Sequence, residues 1–333
     1  MSVAVLVNLR ARRGSEGVGR LVRSLLPRAR IAVTRSLEEA RRWIFEEIVP
    51  NPPTLLLSGG GDGTAVALLN ELRATGIPVP PIGVLPLGTG NGWARVTGAP
   101  TARKALNSIA ALRGAMPPVR RFALVESEGR VAHFAGTGWD AEIVSDFQAH
   151  LSTIPAPLRD ANNGLRGSLP GMFTRTIPRH MLGDGPANVV VTNLGDDTLT
   201  IDSSGNLVPL AGGGRGQIIY SGPASVAAAA TTTEWGFGFK AFPFAHAAPG
   251  RLSVRTYSAS VGEATRNMFK LWRGEHPMPK MHDYFVTHGR MDFDREVPYQ
   301  IGGDLAGPRK TIEFRIADEG VDLVDWRRIS NPN

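Results

Sequence analysis

A chain of 333 residues with 42 % hydrophobic and 20 % charged residues holds material for a sizeable core, and its length suggests two domains. No apolar run reaches 18 residues, which argues against a membrane-spanning helix, and the absence of cysteine excludes disulfides and thiolate metal sites. The net charge of +7 comes almost wholly from arginine; Arg10, Arg12, Arg13, Arg20, Arg23, Arg28 and Arg30 gather near the N-terminus. A solvated basic face accounts for these better than a nucleic-acid site, and the same charges suit transient attraction to an anionic bilayer.

The start, MSVAVLVNLR, has too short an apolar stretch and no basic lead-in for a signal peptide. Ser2–Val7 reads instead as a first strand, and a cytoplasmic location is expected, with peripheral contact at the inner membrane face. Asn8 ends that strand, and a loop to Ser15 leads into a helix over Glu16–Leu26. Ile31–Thr34 is a second strand. Ser36 with Glu39 three residues on forms a capping-box pattern ahead of a helix over Leu37–Ile48, which Asn51-Pro52-Pro53 closes. Leu55–Leu57 is a short apolar strand running into Ser58, Gly59, Gly60, Gly61, Asp62, Gly63 and Thr64, with a helical run over Ala65–Ala74 behind them. The unit then repeats: strand Ile82–Leu85, loop Pro86-Leu87-Gly88-Thr89-Gly90-Asn91, and another helix. Thr101–Arg113 is a further helix. This β-α alternation predicts a doubly wound parallel sheet. Two glycine loops after consecutive parallel strands belong side by side at its carboxyl edge, where free helix N–H groups favour phosphate.

Met116-Pro117-Pro118 is the expected boundary, dividing a nucleotide-binding α/β domain over 1–118 from a second domain over 119–333. The C-terminal segment is left open to returning to the first domain. Beyond the boundary, strand-like stretches recur at Arg121–Ser127, Arg130–Ala135, Ala187–Thr192, Thr198–Ile201, Gln217–Tyr220, Arg251–Tyr257, Tyr284–His288 and Thr311–Ile316. Gly, Pro and Asp punctuate them, which predicts an antiparallel β-sandwich. The irregular Leu151–Arg179 reads as a lid, an entrance or a disordered segment.

The GGDGT of Gly60–Thr64 resembles the nucleotide loop shared by diacylglycerol kinases, sphingosine kinases and NAD kinases. PLGTGN with Trp93, Ala94 and Arg95 resembles the second loop of the lipid-kinase branch. No Gly-Lys-Ser/Thr follows, so this is no P-loop, and the spacing is not that of a dinucleotide GxGxxG. Weaker matches continue in order through His133–Val144, Trp235–Ala245, Pro249–Val254 and Pro298–Gly307. The resemblance implies a lipid kinase using ATP and Mg²⁺, acting on a lipid acceptor at a membrane surface, with no nucleic-acid partner; a homodimer stays open.

The chemistry then falls to named residues. The amides of Gly59, Gly60, Gly61, Gly63, Gly88 and Gly90 would cradle the triphosphate, with Thr64, Thr89 and Asn91 near it and Asn8 and Thr34 bordering the nucleotide. Asp62 is read as a Mg²⁺ or hydroxyl-side residue, or as a helix cap. The resemblance implies that Asp304 accepts the acceptor hydroxyl's proton, against a plain turn Asp. It also implies that Asp140 and Glu142 hold the acceptor's polar head, against a solvated strand edge. Departures stand at Val66, Ala67, Gly92 and Pro249, where the family pattern has polar or acidic residues. They keep two rivals in view: a kinase of a soluble hydroxyl such as NAD, and a nucleotide-binding degenerate kinase.

Overall fold

A computed structural model of the protein describes residues 1–139, 141–142, 185–236 and 238–330. The chain divides into two compact units, Met1–Phe122 with Gly320–Asn333, and Ala123–Glu319.

The first unit follows the alternation of strand and helix. In order come β1 (Val3–Asn8), α1 (Glu16–Leu25), β2 (Arg30–Thr34), α2 (Leu37–Trp43) running into a π-helical turn over Ile44–Ile48, and β3 (Leu55–Gly60). Then come α3 (Asp62–Ala74), β4 (Ile82–Pro86), α4 (Gly92–Thr97), α5 (Ala102–Ala111) and β5 (Val119–Phe122). The sheet order is β2-β1-β3-β4, then the late strand Val321–Val324, then β5. All neighbours are parallel except β5, which runs antiparallel to Val321–Val324.

Side chains alternate faces along a strand, and here each face has its own core. Val5, Val7, Leu55 and Leu57 pack with Val22 of α1 and Ala105, Leu106 and Ile109 of α5. Ala4, Leu6 and Leu56 pack on the other side with Ala40, Ile44 and Ile48, and with Leu68 and Leu72 of α3. This is why β1 and β3 read as unbroken apolar runs: both faces are covered. The starts of α1 and α2 are capped by serine side chains. Ser15 Oγ accepts from Val18 N (3.3 Å) and Ser36 Oγ from Glu39 N (3.1 Å). The Glu39 carboxylate reaches back to Arg35 N (2.7 Å), one residue beyond a standard capping box.

The second unit is antiparallel, and its strands among the described residues are hydrogen-bonded into one 12-stranded sheet. Its centre is the small-residue strand Val226–Ala230, wholly buried between Phe134–Gly138 and Leu252–Tyr257. The longest hairpin pairs His288–Ile301 with Asp304–Ile316 across Gly302 and Gly303, both at positive φ. The expected strand Arg121–Ser127 is split: its first part is β5 of the first unit and Val125–Ser127 begins the second. The Leu151–Arg179 segment lies outside the described residues. Among the described residues, no helix is long and apolar enough to cross a membrane.

Two short helices, Val261–Arg266 and Met268–Arg273, follow the strand Leu252–Tyr257. The first carries a full capping box: Ser260 Oγ accepts from Glu263 N, and Glu263 accepts from Ser260 N (2.8 Å) while Lys280 Nζ donates to its other oxygen (2.7 Å). The Lys280 hydrogen bond, helped by Ser260, pulls the Glu263 carboxyl down to about 2. A lowered carboxylate contributes stability above its unfolded value near 4.5 and loses it as pH falls toward about 2. The amides of this helix are therefore expected to lose hydrogen-exchange protection between pH 4.5 and about 2. In Glu263→Gln the same amides should show no transition in that window.

Candidate nucleotide-binding site

β1, β3 and β4 end level with one another at the carboxyl edge of the parallel sheet. Asn8 pairs with Thr34 of β2, and Gly60 pairs with Pro86 of β4. Three loops leave this edge. Each is held by the other two.

The glycine loop and the second loop meet backbone to backbone. Gly60 O accepts from both Leu87 N and Gly88 N (2.9 Å each). A Cβ on Gly88 would lie 2.3 Å from Gly61 Cα and 2.8 Å from Gly61 N, so only glycine fits there. A Cβ on Gly60 would lie 2.3 Å from Thr64 Oγ1, so glycine at this position leaves that hydroxyl room to sit over the loop. Asp62, the first residue of α3, sends its carboxylate across to the other loop. Its Oδ2 accepts from Gly92 N (2.7 Å) and its Oδ1 from Trp93 N (2.9 Å), capping α4. Asn91 stands in the left-handed region (φ 52°, ψ 44°), which Asn tolerates, and its Nδ2 donates to Gly88 O (2.8 Å).

The third loop, after β1, joins through Asn8. Its Nδ2 donates to Thr64 Oγ1 (2.9 Å) and its Oδ1 accepts from Arg10 N (2.9 Å). Arg13 N donates to Leu87 O (2.9 Å), so the arginine-rich stretch lies against the second loop. Arg10, Arg12 and Arg13 are solvent-exposed. Thr34 is buried, and its carbonyl accepts from Leu9 N (2.8 Å). Gly59 is buried; Gly61, Gly63, Thr64, Thr89, Gly90 and Asn91 are half-buried along the edge.

This arrangement can hold an anion. α3 begins at Gly61 with no side-chain cap, so the first amides of a 13-residue helix are left for a ligand. Flexible glycine backbone lies beside them and three guanidinium groups stand on the neighbouring loop. The fit to a triphosphate is good. The fit to a protein-bound metal is not. Among the described residues no group of three or more His, Asp or Glu converges, and Asp62 is the one carboxylate in the three loops. Both its oxygens already accept amide hydrogen bonds.

The remaining candidate residues belong to the second unit or lie beyond what is described. Asp140 lies outside the described residues. Glu142 is half-buried and lines a cavity of about 70 Å³ with Thr137, Ser225, Arg295 and Glu296. Asp304 opens the second strand of the Gly302-Gly303 hairpin and pairs with Arg130 (3.4 Å). Surrounding protein pushes its carboxyl above the usual range and the Arg130 guanidinium opposes this. The side chain keeps 51 % exposure, so water screens much of that push. Two features are not evident from the residues alone. Gly92, a departure from the acidic residue of the family pattern, provides an amide for Asp62, and Arg13 is stitched to the second loop. The run Arg10–Gly14 directly after a strand end is the available signal for the latter.

Comparison with known proteins agrees with this architecture. Residues 2–120 match the family model of the diacylglycerol kinase catalytic domain. No curated protein matches the chain by sequence. Among solved structures, a putative diacylglycerol kinase from Bacillus anthracis str. Sterne superposes with a TM-score of 0.66 at 17 % identity, covering 97 % of this chain and 94 % of its own. A second diacylglycerol kinase of that organism gives 0.61 at 16 %, with 97 % and 96 % covered. An NAD kinase from Archaeoglobus fulgidus, in complex with ATP, gives 0.50 at 11 %, with 99 % and 95 % covered. Identities this low speak for the fold alone. The family match covers the first unit, which is similar over residues 2–120 to the diacylglycerol kinase catalytic domain.

Proposed function

We propose that the protein is an ATP-dependent kinase that transfers the γ-phosphate to a hydroxyl of a lipid acceptor. The observation that carries this reading is the coupling of the two glycine loops, Gly60–Thr64 and Leu87–Asn91, by Asp62 and by the Gly61–Gly88 backbone contact. The second loop is the part whose sequence resembles the lipid branch.

In this reading the triphosphate lies on the first turn of α3, on amides of Gly61, Gly63 and Thr64, with Gly88, Thr89 and Gly90 alongside. Thr64 is oriented by Asn8, and Asn91 holds the second loop through Gly88 O. Arg13 adds positive charge beside the loop. Asp62 acts as a positioning residue, because its oxygens are engaged with Gly92 and Trp93. On the acceptor side, Asp304 is assigned as the proton acceptor, its raised pKa making it the stronger base. Glu142, beside a cavity of about 70 Å³, is assigned to a hydroxyl of the polar head, together with Asp140.

A second reading has a specific observation behind it: the fold is shared with an NAD kinase that binds ATP. γ-labelled ATP with Mg²⁺ and a panel of diacylglycerol, sphingosine, ceramide, phosphatidylglycerol, undecaprenol and NAD separates the two. Label is expected in a lipid. Label in NAD alone would move the protein to the soluble-acceptor reading. Transfer to nothing, with ATP still raising the melting temperature, would favour a degenerate kinase.

A further inference from the structure

The second unit carries an apolar projection that nucleotide binding does not use. Helix Met268–Arg273, MFKLWR, leaves Met268 43 %, Phe269 80 % and Trp272 39 % exposed. At 100° per residue, Leu271, Met268, Trp272 and Phe269 form one continuous apolar arc, and Arg273 and Lys270 complete the circle. The Leu271 edge packs onto the core cluster of Phe134, Phe242 and Tyr257. The Phe269 edge points away from it.

The projection is rooted. Trp272 meets Phe239 at 5.6 Å between ring centroids, Phe239 meets Trp235 at 5.7 Å, and Trp235 meets Phe242 at 5.7 Å. Phe242 is fully buried. An aromatic column therefore runs from the core to the surface and ends in Trp272. Gly274, at φ 67°, closes the helix, and a Cβ there would lie within 3.0 Å of Lys240, whose N–H donates to Trp272 O (3.1 Å).

Charge decides what this patch meets. Lys240, Arg266, Lys270 and Arg273 are all exposed around it, and the helix has no acidic residue. Glu263 is held by Lys280 and the Ser260 cap, and Glu275 pairs with Arg273 (3.6 Å), which leaves Lys240, Arg266 and Lys270 as the net charge of the patch. We propose that helix Met268–Arg273 docks on an anionic bilayer, with Phe269 and Trp272 seated among the lipid headgroups and Lys240 and Lys270 on lipid phosphates. Aromatic side chains flanked by basic ones have their lowest free energy at that interface. A second copy of the chain fits less well. A stable dimer buries about 800 Å² on each partner, far more than three side chains offer, and a symmetric contact would set Lys270 against like charge.

Vesicle binding is read without nucleotide or acceptor, so the proposal stands apart from the kinase reading. The full chain is sedimented with vesicles of phosphatidylcholine alone and of phosphatidylcholine mixed with phosphatidylglycerol. Binding is expected only to the anionic mixture and weakens with salt. Phe269→Asp lowers the partition coefficient about tenfold or more. Lys270→Gln, at an exposed position, lowers it about fivefold. Absence of binding to anionic vesicles, or binding by Phe269→Asp equal to the wild type, overturns the proposal. So does self-association of the wild type that Phe269→Asp abolishes, which would assign the patch to a second copy.

Discussion

If the two glycine loops seat ATP as proposed, Asp62→Ala is expected to abolish thermal stabilisation by ATP and to lower turnover by about 100-fold or more, the effect of misplacing a phosphoryl cradle. The reason is positional. The carboxylate accepts from Gly92 N at 2.7 Å and Trp93 N at 2.9 Å, so it is the cap of α4 and the strap between the two glycine loops. Removing it leaves two amides without partners and costs about 2–3 kcal/mol of stability. Asp62→Asn separates this role from a chemical one. Asn keeps one acceptor oxygen, but turns an N–H₂ toward the second amide. It is expected to weaken ATP binding about tenfold, one charge-assisted hydrogen bond's worth, with kcat within about threefold of the wild type. Titration of ATP against intrinsic fluorescence gives the Kd, and labelled transfer gives kcat. A kcat lowered about 100-fold with Kd unchanged would place Asp62 in the chemistry, as base or metal ligand.

That strap marks the limit of what the residues reveal on their own. The strands and loops of the first unit are legible because each carries a local signal. β1 and β3 are apolar on both faces, Ser15 and Ser36 are caps, and a glycine cluster follows each of two consecutive strands. The hydrogen bonds that turn loops into a site join Asp62 to residues 30 and 31 positions away and Asn8 to Thr64 across 56. No periodicity encodes such pairs. They follow from parallel register, which brings three loops to one edge. In the second unit the strand chemistry is legible and the lengths are not. Proline has no N–H to give a ladder, yet Pro298 and Pro308 are partners across the hairpin His288–Ile301 and Asp304–Ile316. They sit between two register shifts, where the ladder is irregular and a missing N–H costs little. The split of Arg121–Ser127 between two sheets is likewise invisible locally, since strand propensity does not say which sheet a strand joins.

Gly88→Ala tests the site from the opposite side, by adding atoms instead of removing them. The new Cβ would meet Gly61 Cα at 2.3 Å and Gly61 N at 2.8 Å. Both are backbone atoms at the start of α3, with no side chain to swing aside, so the loops must part. Parting stretches the bonds from Leu87 N and Gly88 N to Gly60 O and draws Gly92 and Trp93 off Asp62. Overpacking of this kind costs about 1–3 kcal/mol or more. ATP affinity is expected to fall about 100-fold, because the amides proposed to face the phosphates no longer share one surface. Hydrogen exchange checks that the loss is local: Val226–Ala230, the buried centre of the second unit, keeps its protection while the amides around Gly60 and Gly88 lose theirs. Gly262→Ala is the matched control. It is exposed, has nothing within 4 Å of its Cβ position and lies in a helix, so it is expected to be silent or to stabilise by up to about 1 kcal/mol. Wild-type ATP affinity in Gly88→Ala would mean that the nucleotide seat lies elsewhere than on these two loops.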